Sequence, residues 1–295
     1  MSAPLESQIL GPGWVRHTRA AVRLSLYLIF TLTLIPVQAL ALALKLPLRE
    51  SLPVFYHTVC CRLWGMTVVV QGELAPVRPL LLVSNHTSYL DIPVLSTLGG
   101  LSLVAKSEVA KWPFFGLLAK LQRSVFVDRR RASAAKQRDA ISERLAEGGR
   151  LVLFAEGTSS DGNRVLPFKS ALFSVAERAD TDAPLTIQPL SIAYTHLNGI
   201  PIGHALRPYF AWYGDMELGR HLWTFAGLGQ TRIEIQLMPP VQTDAFANRR
   251  ELARFVHAHV QAGLAASLTG RQIDLTGVAA ALGSGKAAAA ASASA

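Results

Sequence analysis

The sequence predicts an α/β domain with a central sheet, mostly parallel or mixed, that is covered by helices and preceded by an N-terminal membrane helix or hairpin. Three observations lead to this fold class. Short apolar runs alternate with helical patterns along most of the chain. The runs are apolar at successive positions, which is typical of strands buried on both faces. A long segment without any charged residue, Leu24–Leu44, lies before them.

The first part of the chain divides into a polar segment, residues 1–22, and an apolar anchor, residues 23–48. As a helix, Leu24–Leu44 would extend about 31 Å, close to the thickness of a bilayer's hydrocarbon core. Pro36 near its centre favours a kink, and basic residues flank both ends, which favours keeping both ends at the cytoplasmic face. A single span and a re-entrant or interfacial hairpin therefore both remain open. A cleaved signal peptide is disfavoured because the apolar run is long.

The rest of the chain is predicted to contain one domain, residues 50–268, and a tail, residues 277–295. The tail consists almost wholly of Ala, Ser and Gly, and is predicted to be disordered. The predicted strands are 66–70, 79–83, 124–127, 150–154, 187–192 and 232–237. The predicted helices are 89–98, 132–147, 171–178 and 249–267.

Charge and cysteine content limit the classes of partner. The formal net charge is +9, with ten basic residues against four acidic ones between Lys106 and Arg144. Beside an apolar anchor, anionic membrane lipid is a better partner for this patch than nucleic acid. Cys60 and Cys61 are adjacent and belong to no metal-ligand pattern, and no glycine-rich nucleotide loop is present. We expect neither a metal nor another cofactor.

Polar residues follow three predicted strands at the point where each strand ends. They occupy residues 84–91, 128–131 and 156–162. Because functional loops of such sheets follow the carboxyl ends of strands, these residues should gather around one cleft. His86 at a strand exit and Asp91 at the start of a helix can then face each other. The carboxylate would hold one imidazole N–H and leave the other nitrogen free to accept a proton from a substrate hydroxyl.

Four short blocks resemble, in order, the motifs of the glycerolipid acyltransferases, which include the bacterial 1-acylglycerol-3-phosphate acyltransferases. They are Asn85-His86 with Asp91, Phe126-Val127-Asp128-Arg129, Glu156-Gly157-Thr158 and Gln188-Pro189-Leu190. The resemblance covers about residues 60 to 240. It implies that His86 is the general base and Asp91 its partner. It also implies a set of substrate-binding residues: Asn85, Phe126, Arg129, Glu156, Gly157, Thr158, Lys169 and Pro189.

The sequence departs from the family pattern in places that affect the acceptor more than the reaction. Ala155 stands where many members have Pro, and Phe168-Lys169-Ser170-Ala171 lacks the usual glycine. The run Trp212–Leu218 is closer to the lyso-ornithine lipid acyltransferase branch. The acceptors weighed are therefore lyso-ornithine lipid, which is slightly favoured, and 1-acylglycerol-3-phosphate. Five apolar residues, which could line a groove, are expected to be mostly core: Trp112, Phe114, Phe115, Leu117 and Leu118.

The expected reaction moves a fatty acyl group from acyl carrier protein or coenzyme A to a lysolipid hydroxyl. The expected location is the cytoplasmic (inner) membrane, with the site facing the cytoplasm. Two alternatives from other classes are a membrane-bound thioesterase or lipid hydrolase, which would use the same dyad with water, and a non-catalytic lipid-binding scaffold. Free fatty acid as the only product, in the presence of an acceptor, would favour the hydrolase.

Overall fold

The computed structural model describes residues 10–127, 134–176 and 184–273. The helices are α1 (Gly13–Ala43), α2 (Leu48–Leu63), α3 (Asp91–Ser96), α4 (Phe115–Leu121), α5 (Ala134–Ala146), α6 (Leu218–Ala226) and α7 (Arg249–Thr269). The strands are β1 (Met66–Gln71), β2 (Leu80–Ser84), β3 (Ser102–Lys106), β4 (Val125–Val127), β5 (Arg150–Phe154), β6 (Thr186–Leu197), β7 (Ile200–Pro201), β8 (Thr231–Leu237) and β9 (Val241–Gln242). Short 3-10 turns cover Ser107–Lys111, Ser170–Ala176, Arg207–Tyr209 and Thr243–Ala245.

One mixed sheet forms the centre of the domain, with the strand order β1-β8-β6-β2-β5-β3-β4. The pairs β2–β5, β2–β6, β3–β5, β3–β4 and β1–β8 are parallel, and β6–β8 is antiparallel. The predicted fold class is confirmed by this sheet and by the helices on both of its faces. This order places β2, β5 and β3 side by side and parallel, so their carboxyl ends meet at one edge of the sheet.

The central strand β2 shows why the sheet needs two helical layers. All its residues are buried. Because successive side chains of a strand point to opposite faces, Leu80 and Leu82 join one apolar cluster and Leu81 and Val83 join the other. The first cluster contains α2 and α6 residues, and the second contains α5 and α7 residues.

Each predicted strand overlaps an observed strand. The bounds agree within one residue except at the end of β6, which continues five residues beyond the predicted end at 192. Several helices differ more. The predicted helix 171–178 is a 3-10 turn in the part of it that the structure describes, and the predicted helix 89–98 is helical only over Asp91–Ser96. The elements α2, α4, α6 and β3 were not predicted. The predicted tail, 277–295, and the basic run 128–131, which contains Arg129, lie outside the described residues.

Helix α1 begins at Gly13, inside the segment predicted as a polar start, and ends at Ala43. Among the described residues it is the one helix long and apolar enough to cross a membrane, by length and composition only. It lies against the domain along most of its length. Arg23 donates to the carbonyls of Ala226 and Leu228, and Gln38 donates to those of Arg49 and Leu121.

Candidate active site

The site is built around a hydrogen bond between His86 and Asp91. His86 follows β2 at the carboxyl edge of the sheet, and Asp91 is the first residue of α3. The His86 Nδ1 to Asp91 Oδ2 distance is 2.8 Å. The Asp91 side chain is fully buried, whereas that of His86 is 22% exposed. Since a carboxylate only accepts, Nδ1 carries the proton and Nε2 is the nitrogen left for a ligand.

Asp91 is held in place by three further donors. Its Oδ2 accepts from the backbone N–H groups of Thr87, at 2.7 Å, and Ser88, at 3.0 Å. Its Oδ1 accepts from the Tyr194 hydroxyl at 2.9 Å. Burial, together with the charge of Asp91, raises the pKa of Tyr194 well above its ordinary value, so the phenol stays protonated and donates. These bonds orient the carboxylate and replace the hydrogen bonds to water that it loses on burial.

The imidazole ring and the backbone of His86 are also fixed. The ring stacks on Phe154, with a centroid distance of 4.0 Å and an interplanar angle of 20°. The backbone N–H donates to Glu156 Oε1 at 2.8 Å, and the carbonyl accepts from the Ser160 N–H at 2.9 Å. The loop after β5 therefore clamps the loop after β2, which limits movement of the candidate base.

Glu156 acts in this structure as a positioning residue. Its second oxygen, Oε2, accepts from the Leu166 N–H at 3.1 Å, so both oxygens are occupied by backbone donors. The residue is 1% exposed. Burial raises the pKa of Glu156 to about 8, against the opposing effect of the two N–H groups of His86 and Leu166. The contacts join two loops and leave little of the side chain for the headgroup role that the family resemblance implies.

The raised pKa of Glu156 predicts a pH dependence of stability. Between its ordinary value of 4.5 and about 8, the folded protein holds a proton that the unfolded chain has released. Raising the pH through this window therefore lowers the free energy of unfolding, by at most about 1.4 kcal/mol per pH unit. We expect the melting temperature of the wild type to fall from pH 5 to pH 8 relative to that of Glu156→Gln. The exposed Glu108→Gln serves as the control, and parallel curves for wild type and Glu156→Gln would contradict the prediction.

The other predicted binding residues are placed in different surroundings. Asn85 is buried and bridges to β6, where its side chain exchanges two hydrogen bonds with the backbone of Ile192, at 2.9 and 3.0 Å. Pro189 is buried inside β6 opposite Val83, and Phe126 is half-buried in β4. None of these three predicted residues lines the cavity that contains His86.

Gly157 and Lys169 belong together. Gly157 has a φ of +72°, and a Cβ there would lie 2.7 Å from Lys169 Nζ. The positive φ therefore favours glycine, and any larger residue would also displace the lysine side chain that passes over it. The neighbouring Thr158 lines the cavity beside His86. The structure thus brings Thr158 to the candidate base and places Gly157 under Lys169.

A cavity of about 340 Å³ extends from His86 along one face of the sheet. Its wall is mainly apolar, and it includes Leu103 of β3 and Ile35 of α1. Of the five apolar residues expected to be mostly core, three line it: Trp112, Phe115 and Leu118. Sequence reasoning also missed the contribution of α1 and α2. The available signal was the polar Thr31 and Gln38 inside the apolar segment, both of which are buried against the domain.

The arrangement can activate a hydroxyl at the end of an apolar slot. A neutral imidazole with an oriented carboxylate behind it is a general base, and the adjoining cavity suits an aliphatic chain. Within the described ranges, no group of three or more His, Cys, Asp or Glu side chains has the arrangement of metal ligands.

Known proteins resemble this chain in both sequence and fold. The family model described as Acyltransferase matches residues 67–193. A lyso-ornithine lipid O-acyltransferase of Brucella abortus is 47% identical over 247 residues, covering 82% of this chain and 92% of the relative. A 1-acyl-sn-glycerol-3-phosphate acyltransferase of Neisseria gonorrhoeae is 30% identical over 170 residues, 57% of this chain and 63% of that protein. The crystal structure of the 1-acyl-sn-glycerophosphate acyltransferase of Thermotoga maritima has a TM-score of 0.63 at 20% identity, covering 88% of this chain and all of that one.

Proposed function

The chain belongs to the acyltransferase family that contains the lyso-ornithine lipid and 1-acylglycerol-3-phosphate acyltransferases, and we propose that its acceptor is a lyso-ornithine lipid whose hydroxyl is activated by His86. Lysolipid acyltransfer is the activity common to these relatives, and it is the activity of this chain. The observation that carries the proposed mechanism is the 2.8 Å contact between His86 and the buried Asp91, at the mouth of an apolar cavity.

In the proposed reaction, Nε2 of His86 removes the proton from the acceptor hydroxyl. The oxygen attacks the carbonyl carbon of an acyl thioester, and a tetrahedral intermediate forms. When the intermediate collapses, the carbon–sulfur bond breaks, and the imidazolium returns its proton to the departing thiolate. Asp91 stabilises the imidazolium between these two steps. The donor is acyl carrier protein or coenzyme A carrying the fatty acid.

The shape of the cavity supports this donor class. A thioester carbonyl placed beside His86 has apolar space directly behind it, in which its hydrocarbon chain can leave water. Burial of the chain is favourable by about 0.8 kcal/mol per methylene group. The free energy of chain binding can therefore hold the reacting carbonyl at the base, as expected when remote binding positions a reactive group.

The choice of acceptor rests on the extent of similarity. The Brucella abortus relative matches this chain at 47% identity over 92% of its length, against 30% over 63% for the Neisseria gonorrhoeae relative. We expect purified enzyme, given an acyl-carrier-protein thioester and equal amounts of lyso-ornithine lipid and lysophosphatidate, to acylate the aminolipid preferentially. Lipid mass spectrometry measures both products. Preferential acylation of lysophosphatidate would reverse the proposed acceptor, and free fatty acid alone would support the hydrolase alternative.

The packing of α1 supports an interfacial hairpin as the mode of membrane attachment. A single span would require lipid around the whole apolar segment, yet Thr31 and Gln38 within it are buried against the protein. The opposite face exposes large apolar side chains: Val22, Leu26, Leu28, Ile29, Leu32, Val37 and Leu40. Such a two-sided helix lies in the plane of the interface. We propose the cytoplasmic face of the inner membrane, because basic residues flank both ends of the apolar segment.

Charges placed on the exposed face of α1 should release the enzyme from lipid. We expect Ile29→Asp and Leu32→Asp each to weaken binding to phospholipid vesicles by roughly tenfold or more, because a carboxylate at this depth loses hydration. Sedimentation with vesicles measures the bound fraction. Ile200→Asp, on an exposed apolar residue of β7, is the matched control. Unchanged sedimentation of the α1 variants would contradict the interfacial placement.

A further inference from the structure

The far end of the cavity lies at the opposite edge of the sheet from His86. The wall follows β3 from Leu103 to Lys106 and ends near Gln122 and Ser124, which precede β4 at its amino end. Leu103 and Lys106 are three steps apart on β3, roughly 10 Å at about 3.3 Å per residue. Tyr27 and Gln38, which both line the wall, are roughly 16 Å apart along α1 at about 1.5 Å per residue. The cavity therefore extends on the order of 10 to 16 Å along these two elements.

Gln38 contributes an unpaired acceptor to this far end. Its Nε2 donates to the carbonyl oxygens of Arg49, at 3.1 Å, and Leu121, at 3.0 Å. Because carbonyl oxygens only accept, these two bonds fix the orientation of the amide group. Its Oε1 is buried and has no hydrogen-bond partner among the residues that the structure describes. Gln38 is 6% exposed and lines the cavity.

His57 contributes a second acceptor. It is hydrogen-bonded to Gln122, which is bonded to Ser96, and the bond that Ser96 donates determines which atom is the donor in each of the other two. Ser96 Oγ donates to the Ile92 carbonyl at 2.7 Å, so it accepts from Gln122 Nε2 at 2.6 Å. Gln122 Oε1 then faces His57 Nε2, at 3.1 Å, and that nitrogen must be the donor. In a neutral ring the remaining nitrogen, Nδ1, is a bare acceptor.

The ring of His57 stays neutral, because burial lowers its pKa to about 4. Nδ1 is buried, and no residue within the described ranges is its hydrogen-bond partner. The two acceptors are neighbours in the fold, because Gln38 is bonded to Leu121 and His57 to Gln122. His57, like Gln38, lines the cavity.

The middle of the cavity differs from its far end. There the polar side chains already have partners, since Thr31 Oγ1 bonds to the Tyr56 hydroxyl at 2.9 Å and to the Tyr27 carbonyl. A wholly apolar chain that reached Gln38 and His57 would leave two acceptors buried without hydrogen bonds. Each such acceptor makes the free energy of binding less favourable. A chain that presents an O–H donor at this depth would satisfy them.

We propose that the far end of the cavity is a subsite for a hydroxyl group carried by the acyl chain near its methyl end, with Gln38 Oε1 and His57 Nδ1 as its acceptors. This inference rests on the proposed function, which places the acyl carbonyl beside His86 and the chain along the cavity. A water molecule offers the same O–H chemistry, so the test must distinguish a chain hydroxyl from water.

The test compares acyl-carrier-protein thioesters of one chain length that carry a hydroxyl at successive carbons, together with the unsubstituted thioester. Each is assayed for transfer to lyso-ornithine lipid. Comparing hydroxyl positions keeps composition constant, so that only the place of the donor varies. We expect one position near the methyl end to have a kcat/KM roughly tenfold above those of its positional isomers, as expected for one buried hydrogen bond.

Two variants test whether Gln38 and His57 cause the preference for one hydroxyl position. Gln38→Leu and His57→Phe should each reduce the positional preference, while Thr33→Val, which removes a hydroxyl from the exposed side of the same helix, should keep it. Equal rates for all hydroxyl positions in the wild type would overturn the subsite and indicate that water occupies these acceptors. A preference that persists in both variants would also overturn it. Failure to acylate with any thioester would instead contradict the proposed function.

Discussion

His86→Ala is expected to lower kcat for lysolipid acylation by about 10²- to 10⁴-fold, because the acceptor hydroxyl then has no positioned base. The substitution leaves Asp91 with its bonds to Thr87, Ser88 and Tyr194, so the surrounding turn keeps its support. Single-turnover transfer from an acyl-carrier-protein thioester, followed by mass spectrometry, measures the rate of the chemical step.

The control for this variant is His204→Ala, at an exposed histidine outside the cavity wall. It should retain the wild-type rate. Thermal unfolding and vesicle sedimentation should be unchanged in both variants, since the His86 side chain is itself partly exposed. Near-wild-type transfer by folded His86→Ala protein would exclude this residue as the base.

Asp91→Asn is expected to reduce kcat by on the order of 10²-fold or more while the protein remains folded. One amide oxygen can still accept from His86 and the two backbone N–H groups, and the amide nitrogen can face the Tyr194 hydroxyl, which can turn to accept. What is lost is the negative charge that stabilises the imidazolium. The effect should therefore appear in kcat and leave the folded state almost intact.

Asp91→Ala separates orientation from charge. It removes the acceptor of four donors in a buried site, and each donor left unpaired costs about 1–3 kcal/mol. We expect a lower melting temperature for the alanine variant than for the asparagine variant, in addition to loss of activity. Asp244→Asn, at an exposed carboxylate, is the matched control. Equal kcat values for Asp91→Asn and wild type would rule out an electrostatic role.

The strands were predictable because their signal is local. A continuous apolar run such as 79–83 has to be buried on both faces, whatever the rest of the chain does. The short elements were harder, because β3 and α4 have too few residues for a clear period. Helix α2 contains Pro53 within it, a residue that predicts a break, but hydrogen bonds to Thr31 and Gln38 of α1 and packing in the core stabilise the helix.

The candidate site shows the same division between local and distant information. The His86–Asp91 pair was predictable from the sequence, because the two residues lie five positions apart across a strand exit and a helix start. The support of Asp91 by Tyr194 and of His86 by Glu156 was not predictable from local sequence. These contacts depend on β6 and β5 lying on either side of β2, an order that chain sequence does not dictate.

The cavity was decided by tertiary structure as well. The apolar segment that contains Thr31 and Gln38 is predicted from its composition to be a membrane anchor. The same composition is equally compatible with burial in lipid and with burial against protein. Docking of α1 onto α2 and α4 turns one face of it into the wall of the cavity and leaves the other exposed. Local composition therefore determined that the segment leaves water, whereas packing determined which of its side chains meet the protein and which meet lipid.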